Sequence, residues 1–116
     1  MNSNPEITTP FCQIKQVLRR LQKLEALLKK SHNLSLDEGI VLCCLSQRCN
    51  CQGNIAGETG LTPTQASRVL ARLEEKQLIE RSIGQADKRQ MVFSLSEQGQ
   101  ALLREATPLA QQFFKQ

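Results

Sequence analysis

The chain has 116 residues, enough for one domain with a real core. Fifteen Lys and Arg against eleven Asp and Glu give a net charge of +4, which suits a polyanionic partner. Four Phe with no Trp or Tyr leave few stacking platforms for single strands, no apolar run approaches the roughly 18 residues of a membrane helix, and Met1–Pro10 lacks the cationic lead-in of a secretory signal, so a cytoplasmic protein with no membrane association is expected.

Residues 1–10 read as a flexible N-terminus, because Pro5, Pro10 and Thr8-Thr9 disfavour a helix. From Phe11 to Lys30 the pattern is helical: Ile14, Val17, Leu21, Leu24 and Leu28 recur at spacings of three and four, with Leu18 and Leu27 widening the stripe. Such a stripe needs a partner, either its own domain or a second subunit. His32-Asn33 ends this helix. Ser35-x-x-Glu38 is a capping box that opens the next, with Leu36, Ile40, Cys43, Cys44 and Leu45 as its expected buried face and an end near Cys49–Gly53. A short helix over Gln52–Thr59 stops at Gly60, where a left-handed residue is cheapest for glycine. Thr62-Pro63-Thr64-Gln65 starts another: Thr62 as N-cap, Pro63 at the first helical position, Gln65 closing the box. It runs to about Lys76 and turns Leu61, Ala66, Val69, Leu70 and Leu73 inward. Ile79–Ile83 and Met91–Leu95 read as a hairpin around the polar loop Gly84–Gln90, with Met91, Phe93 and Leu95 on one face. Ser96-Glu97 opens a last helix with the stripe Leu102, Ala106, Leu109 and Phe113, and Pro108 predicts a kink or break in it.

Two short helices meeting at Gly60, with Ala56 small at their contact and Ile55, Leu61, Ala66 and Val69 locking them, have the makings of a helix-turn-helix. With the hairpin behind it, the fold class expected is mainly α (α+β), a winged helix-turn-helix over residues 35–95. Its second helix is the reader of a major groove. Thr64, Gln65 and Arg68 are the candidates for base edges. Ser67, Arg72 and the first amides of the helix suit phosphates, and Thr62 and Pro63 complete the expected DNA-binding set. Thr64 and Gln65 have a plainer reading as helix caps, and Arg72 as an ion pair with Glu75. At the wing tip Lys88 and Arg89 reach for backbone or minor groove, and Asp87 has a sensible role in orienting the Arg89 guanidinium.

Asp87-Lys88-Arg89-Gln90-Met91-Val92-Phe93-Ser94-Leu95-Ser96-Glu97-Gln98-Gly99 resembles the wing signature of the multiple antibiotic resistance regulator (MarR) family, an Asp-x-Arg followed by a strand and then Leu-Thr/Ser-x-x-Gly. Gly60-Leu61-Thr62, Val69 to Lys76 and Leu78-Ile79-Glu80-Arg81 are similar to that family's recognition helix and first wing strand, and the likeness covers roughly Leu36–Leu109. The resemblance implies a homodimeric regulator of transcription, a repressor whose two recognition helices sit in successive major grooves of a pseudo-palindromic operator on double-stranded DNA. It implies release by a small-molecule effector or by oxidation. It places the dimer on the N- and C-terminal helices (11–32 and 97–116), through Ile14, Val17, Leu21, Leu102, Leu109 and Phe113. Three departures stand out: Gln77 where the family usually has Gly, Gly57 inside the first helix of the motif, and an end at Gln116 ahead of the further helix most members carry, which bears on the size of a dimer interface.

Five cysteines, Cys12, Cys43, Cys44, Cys49 and Cys51, are expected as free thiols in a reducing compartment. Cys43 and Cys44 read as small core residues. Cys12, at the opening of a helix and near Lys15, reads as the candidate redox thiol. Cys49-x-Cys51 is a poor metal spacing with a single His in the chain. Neither a nucleophile-base set nor a Gly-rich phosphate loop is present, so no enzyme, metal or cofactor is expected. The alternatives to a DNA-binding regulator are a winged-helix module that binds protein, or a regulator switched by a thiol. Arg68, Arg72, Lys88 and Arg89 on the reading face favour DNA.

Overall fold

The computed structural model describes residues 5–47, 50–84 and 89–115, with side chains from residue 9 onward. Along them run α1 (Pro5–His32), α2 (Leu36–Ser46), α3 (Gln52–Thr59), α4 (Pro63–Glu75), β1 (Ile79–Ile83), β2 (Met91–Leu95) and α5 (Glu97–Phe113). This is the expected mainly helical winged helix-turn-helix, with one two-stranded antiparallel sheet.

α1 begins at Pro5, not at Phe11, and continues through Pro10. Only one amide is lost at that proline, on a turn whose outer side is solvent. At the other end Asn33 adopts φ +52. Its amide bonds to the Lys29 carbonyl and the Leu34 amide to that of Leu28, which closes the orphan carbonyls of the last turn. Leu34 is then driven into the core. The Ser35 box forms as read: Ser35 Oγ accepts from the Glu38 amide at 3.1 Å and the Glu38 carboxylate accepts from the Ser35 amide at 2.8 Å.

α2 corrects its predicted face. Val41, Leu42, Cys44 and Glu38 are buried, whereas Ile40 and Cys43 are exposed, and the helix ends at Ser46. Its middle is apolar on every side (Ile40-Val41-Leu42-Cys43-Cys44-Leu45), so spacing alone carries no phase. Gly60 adopts φ +77 and ends α3 with its amide on the Ala56 carbonyl. One core cluster joins all layers: Leu24 and Leu28 of α1, Val41 and Leu42 of α2, Ile55 of α3, Val69, Leu70 and Leu73 of α4, Ile79 and Phe93 of the hairpin, and Ala106 of α5.

The hairpin pairs Ile79 with Leu95 and Ile83 with Met91. Of the strand residues only Ile79 and Phe93 are buried. The outer edge of β2 is met by the chain before α3, through a Cys51–Val92 bridge and the Phe93 amide donating to the Asn50 carbonyl. α5 is capped by Ser96 Oγ on the Gly99 amide. It runs through Pro108 without the break that was one of the two expectations there, and its stripe packs on α1 and the core.

Two backbone positions fix how α4 hands over to the wing. Gln77, in the place where glycine is expected, keeps the left-handed conformation at φ +62. Its amide bonds to Glu74 and the Leu78 amide to Leu73, so the same helix exit forms with a side chain on it. Leu78 then turns its carbonyl to the Ser96 amide at 3.0 Å, directly against Gly99, where a β-carbon would stand 2.0 Å from that oxygen. Gly99→Ala is expected to destabilise the fold by about 1–3 kcal/mol through this clash. Gln77→Gly is expected to stabilise it by up to about 1 kcal/mol by relieving the positive φ. Urea denaturation of the two variants beside the parent checks both signs.

Candidate nucleic-acid interface

α4 is fixed in roll by the residues it buries. Ala66, Val69, Leu70 and Leu73 are buried, and Thr64, Ser67, Arg68, Ala71 and Arg72 are exposed around the opposite side. Its start is fixed by the cap: Thr62 Oγ1 accepts from the Gln65 amide at 3.1 Å and Gln65 Oε1 accepts from the Thr62 amide at 2.9 Å. Pro63 occupies the first turn. Thr62 and Gln65 thus spend their side-chain oxygens on each other, which is the capping role, and leave the Gln65 NH2 as its part for a base edge. Thr64 takes no part in the cap, and with Ser67 and Arg68 it forms the outward surface of the first turns.

Behind this surface α3 acts as a brace. Ile55 is fully buried and Ala56 half-buried at the contact. Thr59 Oγ1 donates to the Ile55 carbonyl at 2.7 Å and accepts from the Leu61 amide at 3.3 Å, tying the turn on both sides of Gly60. The wing is held to the same helix. Arg81 of β1 forms an ion pair with Glu74 of α4 and lies 5.6 Å over the Phe93 ring. Beyond the strands the Gly84 amide closes on the Gln90 carbonyl, and Arg89 is exposed at the end of the hairpin. Asp87 and Lys88 lie outside the described residues, and with them the orienting role expected of Asp87.

Glu38 is a residue whose role the sequence reading missed. At 2 % exposure it is buried, and its charge is answered by α4. Lys76 Nζ donates to Oε1 at 3.0 Å, lies 2.9 Å from Oε2, and donates to the Asn33 carbonyl at 2.7 Å. Arg72 Nε lies 3.7 Å from Oε2, so the acid beside Arg72 is Glu38 and not the expected Glu75. Burial pushes the Glu38 carboxyl up, but the Ser35 amide and the Lys76 ammonium outweigh that and hold it below the ordinary glutamate range. The legible signal was Ser35-x-x-Glu38 together with two cations four apart on one flank of α4; their meeting depends on the fold.

Of the expected dimer residues, Ile14 and Val17 are exposed, while Leu21, Leu102, Leu109 and Phe113 are half-buried, the last three packed on the core of this chain. Arg20 helps seat them, stacking 4.3 Å over the Phe113 ring and donating to the Phe113 carbonyl. Among the exposed apolar residues of α1, which include Val17 and Leu27, the most open are Phe11, Ile14 and Leu18, at 75 %, 61 % and 52 % exposure. Cys12 is free and exposed but lies well inside α1, away from the unpaired amides of its start. Cys43 and Cys51 are also free thiols. Cys44, buried as expected, is disulfide-bonded and corrects the expectation of free thiols throughout. That expectation rested on compartment, whereas the bond depends on how near the fold brings two sulfurs. Among the described residues no group of three or more His, Cys, Asp or Glu is placed to hold a metal ion.

A model of the MarR family matches residues 34–91, half of the chain. Among solved structures, the chain is similar to AbsC of Streptomyces coelicolor, a MarR family transcriptional regulator (TM-score 0.82, 20 % identity, 98 % of this chain and 82 % of that one). It is similar to MepR of S. aureus in its complex with DNA (TM-score 0.79, 24 % identity, 93 % and 79 % covered). It is also similar to BpsR of Bordetella bronchiseptica, whose DNA binding is regulated by 6-hydroxynicotinic acid (TM-score 0.69, 27 % identity, 89 % and 82 % covered). No curated protein matches the sequence.

Because the Glu38 pKa is lowered in the folded state, its contribution to stability is complete above the ordinary glutamate value of 4.5 and is lost as the pH falls through the folded value. Thermal melts from neutral pH down to about pH 3 are expected to show a steeper acid loss in the parent than in Glu38→Gln, whose side chain has no proton to take up.

Proposed function

The chain belongs to the MarR family, and on that premise we propose that it is a dimeric, sequence-specific regulator of transcription that binds a pseudo-palindromic operator as a repressor. The observation that carries this reading is the outer face of α4. From the capped N-terminus onward it presents Thr64, Ser67, Arg68 and Arg72 to solvent while the opposite face is locked in the core. A capped helix end with short polar side chains and an arginine suits base edges and phosphates in a groove wide enough for a helix. Arg89 at the wing adds a second point of contact beside it, with Lys88 as its expected companion and Asp87 as its orienting partner. The solved MepR complex with DNA supports the same use of the fold.

Dimerisation is supported by the apolar seam Phe11, Ile14 and Leu18 on α1 and by Phe114, 81 % exposed just after α5. Large apolar residues so exposed on α1 and just after α5 suit a second copy of the chain, with Val17 exposed beside them and Leu21, Leu102, Leu109 and Phe113 half-buried. Release by a small molecule fits the precedent of BpsR. The cleft between α1 and α5, lined by Arg20, Lys23, Leu27, Leu109 and Phe113, measures about 60 Å³. A drug-sized ligand needs roughly 300 Å³ or more, so in this reading an effector site is completed by the second copy. Release by oxidation keeps Cys12 as its exposed thiol.

Selection of bound sequences from a random duplex pool is expected to return an inverted repeat whose half-sites lie about one helical turn apart. Arg68→Ala combined with Arg89→Ala is expected to abolish that selection; unchanged selection would show that the reading surface lies elsewhere. Ile14→Asp with Leu18→Asp is expected to shift the sedimentation of the protein from dimer to monomer and to weaken operator binding at least tenfold, as loss of the paired half-site requires.

A further inference from the structure

The cap of α2 needs one oxygen of Glu38, the one that accepts from the Ser35 amide. A glutamine side chain does that work without the cost of burying a charge. The charge is engaged with α4: with Lys76, whose Nζ lies within 3.0 Å of both oxygens and donates to the Asn33 carbonyl, and with Arg72, whose Nε lies 3.7 Å from Oε2. Oε2 is buried and shared by the two cations, with Lys76 Nζ at 2.9 Å; the arginine contact is an ion pair rather than a hydrogen bond. One buried carboxylate facing two cations leaves the cluster with a net single positive charge. A guanidinium has more than one donor edge. Turning the Nε edge of Arg72 inward to Glu38 turns the opposite Nη edge away, and the Arg72 side chain remains 47 % exposed. Arg72 follows Arg68 by one helical turn on the exposed flank of α4.

We propose that Glu38 is a positioning residue for DNA binding: its buried carboxylate holds the Arg72 guanidinium by the Nε edge and so presents the Nη edge to a backbone phosphate one turn beyond Arg68. This rests on the reading that the outer face of α4 meets duplex DNA. It gives Glu38 an effect opposite to its charge. Removing an acidic group near a phosphate ordinarily strengthens DNA binding, because repulsion is relieved. Here Glu38→Gln makes the protein more positive and yet weakens binding, because Arg72 loses its hold.

The test measures affinity for the selected duplex as a function of salt, below the melting temperature of every variant. Arg72→Ala is expected to lower affinity about tenfold and to flatten the slope of log K against log salt by about 0.9, the value of one phosphate contact. Glu38→Gln is expected to lose most of that same affinity, and the double variant to be no weaker than Arg72→Ala alone. Arg72→Lys, which keeps the charge but has no Nε edge to be held, is expected to fall close to Arg72→Ala, and it reads the same point should Glu38→Gln fail to fold. Equal or tighter binding by Glu38→Gln, losses that multiply in the double variant, or full affinity in Arg72→Lys would each overturn the proposal while leaving DNA binding intact. A parent protein that binds no duplex would instead overturn the functional reading, and this proposal with it.

Discussion

A carboxylate taken out of water must have its charge answered inside the protein, and the way Glu38 is answered governs the geometry of the reading head. Its oxygens accept from the Ser35 amide and from Lys76, and Lys76 also grips the Asn33 carbonyl. Three elements therefore meet at one buried charge: the end of α1, the start of α2 and the end of α4. Losing either partner leaves an unsatisfied buried group, which costs more than the pair gains by forming. The value of the arrangement lies in specificity of position. It fixes the far end of α4 relative to the long helix that carries the exposed apolar seam.

The near end of α4 is fixed by different means. The Thr62–Gln65 box and the left-handed Gly60 define where the helix begins, and Ile55 and Ala66, buried at 0 % exposure, leave no room for it to roll against α3. A helix held at both ends and locked in roll presents a constant set of side chains. That constancy is what sequence-specific reading requires, since a bidentate base contact is lost when its donor moves by a fraction of a bond length. The wing follows from the same constraint. Gln77 accepts a strained conformation so that Leu78 can place its carbonyl against Gly99 and Ser96, and the Glu74–Arg81 pair then ties β1 back to α4.

Most errors of sequence reading share a cause. α2 was given the wrong face because Ile40 to Leu45 is apolar at every position, and periodicity has no phase where there is no polar residue to set it. Pro10 reads as the entry to a helix and Pro108 as a kink or break in one, yet α1 and α5 run on through them. Local propensity is a weak term beside tertiary context. The plainer reading of Arg72 offers Glu75 because only neighbours along the helix are visible in sequence; the acid beside it, Glu38, is far away in the chain. The disulfide at Cys44 has a different cause, because the expectation of free thiols rests on compartment and carries no geometry.

The sequence by itself determined what is decided within a few residues. Ser35-x-x-Glu38, Thr62-Pro63-Thr64-Gln65 and Ser96 each dictate a helix start, Gly60 a turn, and the alternation of Met91–Leu95 a strand, because caps, turns and pleats are set by bonds between near neighbours. The order of those signals was enough for the winged helix-turn-helix and for the exposed residues of α4. The tertiary structure alone decided which apolar residues of α1 and α2 find a partner in this chain, and that Glu38 carries a charge for α4. Burial and long-range ion pairing depend on which surfaces come together in space, and no spacing along the chain encodes that meeting.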